Sequence, residues 1–133
     1  MKLTTKTEYL LLALIYIARQ EKEHFIKIKD ICTVYDIPKK YLEQLFLTLK
    51  HNRYIKTKRG ANGGYKLARP ANKISVSEIA RLMDGALAPI EAVSKHFYSQ
   101  TPLEKEKKII KVLQEIRDYI ANRLEKLKLS DLV

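Results

Sequence analysis

Cysteine is nearly missing from this 133-residue chain, tryptophan is absent, and glycine and proline number only four each. The single cysteine, Cys32, excludes an intramolecular disulfide framework and points to no oxidising compartment. The three histidines, His24, His51 and His96, stand far apart. None has the paired spacing of a metal ligand, so no metal site is expected. No nucleophile sits in a pattern with a base, and the carboxylates gather mostly on the charged final helix. No catalytic residue is therefore expected, and the chain does not read as an enzyme. A long apolar run is missing too. Tyr9 to Ala18 is short for a bilayer span, has Glu8 at its edge and lacks a small-residue cleavage site. It reads as a buried helix of a cytoplasmic protein with no membrane partner.

The most informative shortage is of acid. Lys and Arg number 26 against 15 Asp and Glu, a net charge of +11. From Gln44 to Ser77 there is no Asp or Glu at all, while Lys50, Arg53, Lys56, Lys58, Arg59, Lys66, Arg69 and Lys73 fall in that window. A long stretch of one sign repels itself unless a counter-charge arrives, which points to a polyanionic partner. Three of the four glycines, Gly60, Gly63 and Gly64, lie inside the same stretch. Their spacing fits neither a P-loop nor a dinucleotide fingerprint, and both of those must open a helix. Here "GANGGYK" leads into alternating residues instead.

What is present then reads in order. Thr5-x-x-Glu8 has capping-box spacing ahead of an apolar run, which predicts a first helix from about Thr5 to Gln20. The charged turn "QEKEH" follows. Ile28, Ile31, Cys32 and Tyr35 predict a short second helix. Pro38 suits the first turn of a third, whose core stripe is Leu42, Leu45, Phe46 and Leu49. Its other face shows Lys39, Lys40, Glu43, Gln44 and Leu47, with Tyr41 at the edge. Two short helices joined by a tight turn form a helix-turn-helix. "YIKTK" and "YKLAR" alternate with period two, and Asn62-Gly63 signals a type I′ hairpin turn, while Gly60 and Gly64 flank it and permit a wider loop. A basic hairpin directly after a helix-turn-helix makes the expected fold mainly α, a winged helix.

Within it, Lys56, Lys58, Arg59, Lys66 and Arg69 would supply phosphate contacts, with Arg59 at the tip suited to a narrow minor groove. Gln44 could pair with adenine, Lys40 with guanine, and Glu43 with cytosine. Glu43 has an equally good alternative as an ion-pair partner of Lys39 or Lys40. "ISVSEIARLMDG" predicts a further helix capped by Ser75 or Ser77 and ended by Gly85. Ala86 to Leu103 looks irregular. A long helix from about Glu104 to Lys126 carries a narrow apolar seam, Ile109, Leu113, Ile116, Ile120, Leu124 and Leu127. That seam suits pairing with a second subunit, or packing within its own domain. The expected division is 1–85 winged helix-turn-helix, 86–104 effector or sensor loop, and 105–133 dimerisation helix and tail.

"LTTKTEYLLLAL", "IPKKYLEQLFLTLKHNRYIKTKRGANGGYKLAR", "ISVSEIARLMDGALAPIEAVS" and "LEKLKLSDL" together resemble the Rrf-two (Rrf2) family of bacterial transcription regulators, the IscR-, NsrR- and CymR-like proteins. The resemblance spans nearly the whole chain, and "YLEQLF" and "RGANGGY" are its most specific parts. It implies a homodimeric winged-helix regulator, a repressor or an activator, on a palindromic operator in double-stranded DNA. By resemblance, Lys40, Tyr41, Glu43 and Gln44 face bases or backbone. Arg59, Gly60, Asn62, Gly63 and Gly64 enter the minor groove, and Thr5 and Tyr9 sit near phosphates. Cluster-bearing members carry three cysteines in the loop before the last helix. Here Ala92 stands where the first is expected, and none follows at Tyr98, Ser99, Thr101 or Lys105. An iron–sulfur cluster of the usual kind is therefore not expected. Glu8 matches a ligand position of some members, but one carboxylate cannot hold a cluster. The effector, protein or small molecule, stays open. Two alternatives remain beside sequence-specific regulation: control chiefly by a protein partner gripping residues 86–103, and a non-specific architectural or RNA-associated role.

Overall fold

A computed structural model describes residues 1–20 and 24–133; residues 21–23, part of the charged turn, lie outside the described residues. The elements run α1 (Thr5–Arg19), α2 (Ile28–Tyr35), α3 (Lys39–His51), β1 (Ile55–Lys58), β2 (Gly64–Leu67), α4 (Val76–Asp84) and α5 (Lys107–Lys126), with short 3-10 turns between. This is a helix-turn-helix (α2 and α3), a two-stranded antiparallel wing and three further helices.

The core forms where the apolar stripes of α1, α2, α3 and α4 converge. Leu10, Leu14, Ile31, Leu42, Phe46, Leu49, Ile74 and Ile79 are all essentially sealed from solvent. The side chains of α1 that remain partly exposed, such as Leu11, Leu12 and Ile15, still pack against this cluster. The chain end closes it. Leu129 is fully buried, and its N–H donates to Ile74 O at 3.0 Å while Val76 N–H donates to Leu127 O at 2.9 Å. The segment after α5 is thus stitched onto the winged-helix core.

Two local expectations need correction. The capping box Thr5/Glu8 does not form: α1 begins at Thr5 as expected, but Thr4 holds its cap position, with no side-chain cap within the helix. The cap comes from far away instead. Asp84, the last residue of α4, accepts from Thr4 N–H (2.8 Å), Thr4 Oγ1 (2.5 Å) and Thr7 Oγ1 (2.6 Å). A carboxylate there serves both the orphan donors and the positive end of the helix dipole. The last helix also starts later than expected, at Lys107, because Pro102–Lys105 winds as a separate 3-10 turn. By contrast α4 starts as read: Ser75 and Glu78 form a reciprocal capping box, and Gly85 ends it at φ +81°.

Candidate nucleic-acid interface

α3 owes its outward face to the four core residues opposite. With Leu42, Leu45, Phe46 and Leu49 turned inward, Lys39, Lys40, Tyr41, Gln44 and Leu47 are exposed. Glu43 lies 3.9 Å from Lys39 Nζ, an i,i+4 pair at the solvent edge. An exposed pair at that distance contributes little, so Glu43 keeps acceptor capacity for another partner. Tyr41 meets Tyr9 edge-to-face at 5.7 Å. That contact brings the first turns of α1, with Thr5 exposed, beside the start of α3.

The wing pairs Ile55 with Leu67, Lys56 with Lys66, Thr57 with Tyr65 and Lys58 with Gly64. Like charges directly opposite are unfavourable, and here Lys56 faces Lys66 with no acid between. The expected type I′ turn at Asn62-Gly63 is absent. The pairing leaves residues 59–63 as a five-residue loop, closed by Gly63 N–H donating to Gly60 O at 3.0 Å. Positive φ falls on Gly60 (+102°) and Gly64 (+141°) rather than on Asn62 and Gly63. Gly63 serves close approach instead: a Cβ there would lie 2.0 Å from Lys58 O. Gly63 is buried, so it shapes the tip, and Arg59, Gly60, Ala61 and Asn62 are what the tip exposes.

The hairpin rests on the residues that lead into α2. Ile26 exchanges two backbone hydrogen bonds with Tyr65, at 2.7 and 2.8 Å, and Lys27 Nζ donates to Gly60 O at 3.1 Å. The Phe25 ring lies under Lys66 Nζ (4.7 Å) and Lys58 Nζ (5.8 Å). Its π-face holds two ammonium groups near the wing without neutralising them. Among the described residues, Lys56, Lys58 and Arg59 have no carboxylate partner.

Arg69 does not belong to that free set. Its guanidinium donates to Asn52 O (3.0 Å), Arg53 O (3.3 Å) and Glu78 (3.4 Å), and lies 4.1 Å over the Tyr54 ring. It caps the carboxyl end of α3 and fixes the wing's base, a structural use that pre-empts a phosphate contact. Lys66, half-buried against Phe25, is likewise less free than Lys56. The turn that swings from α3 into β1 puts Arg53 at φ +61° and leaves it exposed beside Lys50 and Lys56.

Beyond α4, residues 86–104 are held to α5 by Arg117, whose Nη1 donates to Val93 O at 2.9 Å. Arg117 also pairs with Asp118 at 2.8 Å, and Lys95 reaches the same carboxylate at 3.5 Å. The hydrogen bond from Arg117, with both cations adding, holds Asp118 below the usual carboxylate range. Phe97 and Tyr98 of this loop are exposed. On α5, Arg81–Glu125 (3.1 Å) binds the helix to α4, and Ala121 is its one buried residue. The expected seam divides. Leu113, Ile120 and Leu124 are half-buried, whereas Ile109 and Ile116 are exposed, joined by Val112 and Tyr119. The last two were not in the 4-3 reading, because Tyr119 follows Ile116 by three and Val112 follows Ile109 by three on a broader face.

A family model described as "Rrf2: Iron-dependent Transcriptional regulator" matches residues 3–133. The chain belongs to the Rrf2 family. CymR of Bacillus subtilis is 31% identical over 132 residues, 99% of this chain and 89% of that protein. IscR of Cereibacter sphaeroides is 41% identical over 86 residues, 63% of this chain and 56% of its own length. The structure of B. subtilis CymR, the global cysteine regulator, superposes with a TM-score of 0.79 at 29% identity, covering 99% of this chain and 95% of the other. T. potens IscR gives 0.75 at 27% identity, covering 99% and 85%. Against two Mycobacterium tuberculosis relatives the chain spans 58% of their length. The chain thus has the winged helix-turn-helix fold of a family of transcription regulators. Among the described residues no helix is long and apolar enough to cross a membrane.

The family description names iron, and the donors of this chain do not fit an iron–sulfur cluster. Its one cysteine, Cys32, sits on α2, where burial pushes its thiol up, away from the thiolate a cluster needs. Among the described residues no three His, Cys, Asp or Glu side chains converge on a common point.

Proposed function

We propose that two copies of this Rrf2 regulator pair along α5 and bind a palindromic operator in the cytoplasm as a repressor. In this reading α3 lies in the major groove, where Lys40, Glu43 and Gln44 meet base edges and Lys39 and Tyr41 meet backbone. Thr5 and Tyr9, brought beside Tyr41 by the ring contact, approach the adjoining phosphates. The wing reaches the flanking minor groove with Arg59, Gly60 and Asn62, while Lys56 and Lys58 line its approach; Gly63 and Gly64 set the curvature that presents them. Residues 1–85 form the DNA-binding part, 86–104 the effector-responsive loop, and 105–133 the pairing helix and tail. Seated over a promoter, such a dimer would repress by occluding polymerase.

The observation that carries the reading is the wing itself. Lys56 opposes Lys66 across the strands and Arg59 crowns the tip, all without an acid; a phosphate backbone supplies the missing counter-charge. Exposed Phe97 and Tyr98 support a second route of control, through a protein partner on residues 86–104.

The test is selection from a random duplex library with the purified chain, followed by sedimentation of the complex. Enrichment of an inverted repeat bound by two chains is expected. Retention of duplex without sequence enrichment overturns operator reading in favour of an architectural role.

A further inference from the structure

One residue on the outward face of α3 is left over by every role assigned so far. Leu47 is 49% exposed, although the core takes only Leu42, Leu45, Phe46 and Leu49 from this helix. A single exposed leucine is ordinary on a protein surface; its position here is not. Seven residues separate it from Lys40, so the two point within about 20° of one direction. Viewed down the axis it falls between Glu43 and Gln44, one turn further on. The rest of that stripe is polar, and cations flank it on both sides: Lys39 and Lys40 before, Lys50 and Arg53 after. Whatever polyanion these cations draw in is brought against an aliphatic side chain that can neither donate nor accept.

The edges of bases in a major groove present donors and acceptors, and their one apolar group larger than a ring C–H is the C5-methyl of thymine. A leucine laid against a purine edge or cytosine N4 would desolvate a polar group without replacing its hydrogen bond, which is unfavourable. Against the thymine methyl it removes apolar surface from water on both sides. We infer that Leu47 is a specificity-determining residue that selects a thymine through its C5-methyl, next to the base pairs read by Glu43 and Gln44. The inference rests on the placement of α3 in the groove. It adds to that placement a base identity and an apolar mode of reading.

The test separates the two. Starting from the duplex enriched from a random library, each thymine of a half-site is replaced in turn by deoxyuridine, which deletes the methyl and nothing else. Affinities are measured for the natural chain, Leu47→Ala and Leu47→Met. At one position per half-site the natural chain is expected to lose affinity by about fourfold, the value of one buried methyl. Leu47→Ala should be indifferent to that same replacement while still sensing any others, and Leu47→Met, which keeps an apolar tip, should retain it. Alanine is a strong helix former at an exposed position, so the variant keeps its fold. If the natural chain ignores every deoxyuridine, or if Leu47→Ala keeps the full pattern of losses, Leu47 reads no methyl and the inference falls while groove binding stands. If the natural chain enriches no duplex, both fall together.

Discussion

Thr7 Oγ1 donates a 2.6 Å hydrogen bond to the Asp84 carboxylate, 77 positions further along the chain. Thr4 adds two more, so the first turn of α1 and the last of α4 share one acceptor. Burial works against the charge of Asp84, but the two threonine hydroxyls, the Thr4 N–H and nearby Lys6 outweigh it and hold the carboxyl below its ordinary value. Thr7 is fully buried, so removing its acceptor strands a hydroxyl. Asp84→Ala should therefore cost about 2 kcal/mol in urea unfolding.

The same bond makes a pH prediction. A carboxyl whose folded value is depressed contributes stability that is fully present above its unfolded value, near 3.8, and lost as pH falls through the folded one. The stability difference between the natural chain and Asp84→Asn should be constant from about pH 5 to 7 and shrink below about pH 4. A difference that grows on acidification would contradict the assignment.

The wing's glycines should rank by geometry. A Cβ at Gly64 would stand 2.4 Å from Ile26 O, and φ there is +141°. At Gly63 the clash is 2.0 Å with Lys58 O, while at Gly60 nothing lies within 4 Å and only the φ of +102° resists. Gly60→Ala should cost about 1 kcal/mol, and Gly63→Ala and Gly64→Ala distinctly more. Hydrogen exchange at Tyr65 N–H, which bonds Ile26 O at 2.8 Å, reports whether the three-way junction has opened.

On α5 the exposed apolar residues single out which side chains would pair subunits in the proposed dimer. Ile116 is 42% exposed and Tyr119 73%, an apolar face that a single chain leaves in water. Ile116→Glu should give folded monomers in sedimentation, with an unchanged far-UV spectrum. Ala121→Glu, at the helix's one buried position, should instead unfold the chain. A dimer that survives Ile116→Glu would place the interface elsewhere.

Much of this was legible in the residues because period and punctuation agreed. Leu42, Leu45, Phe46 and Leu49 announced α3; Ser75, Glu78 and Gly85 bracketed α4. The misses share a cause: each depends on a partner remote in sequence. Thr5 and Glu8 have the spacing of a local cap, yet Asp84 takes that role. Asn62-Gly63 has the chemistry of a two-residue turn, yet the chain takes the wider loop that Gly60 and Gly64 permit, with Ile26 docked on Tyr65 beside it. Arg69 reads as one more cation of a basic run, and only the folded chain brings it to Asn52, Arg53, Glu78 and Tyr54. Phe25 to Lys29 alternates much as "YIKTK" does, but nothing local says that this stretch docks on Tyr65, so its part in supporting the wing could be seen only in three dimensions.

Arg59 is the most exposed test of the electrostatic reading. It stands at the wing tip, without a carboxylate partner among the described residues, so its removal should cost the fold nothing. If it enters a minor groove, Arg59→Ala weakens operator binding, most where the flanking step is A/T-rich and the groove narrow. If it also neutralises a phosphate, the slope of log affinity against log salt, about −0.9 for each phosphate neutralised, becomes shallower by about one. Arg69→Lys provides the contrast. Because Arg69 is occupied by Asn52 O, Glu78 and the Tyr54 ring, the shorter list of donors on lysine should lower the unfolding midpoint and leave the salt slope unchanged. Titrations of both variants at several salt concentrations decide it. A slope that shifts for Arg69→Lys and not for Arg59→Ala would move the phosphate contact from the tip of the wing to its base.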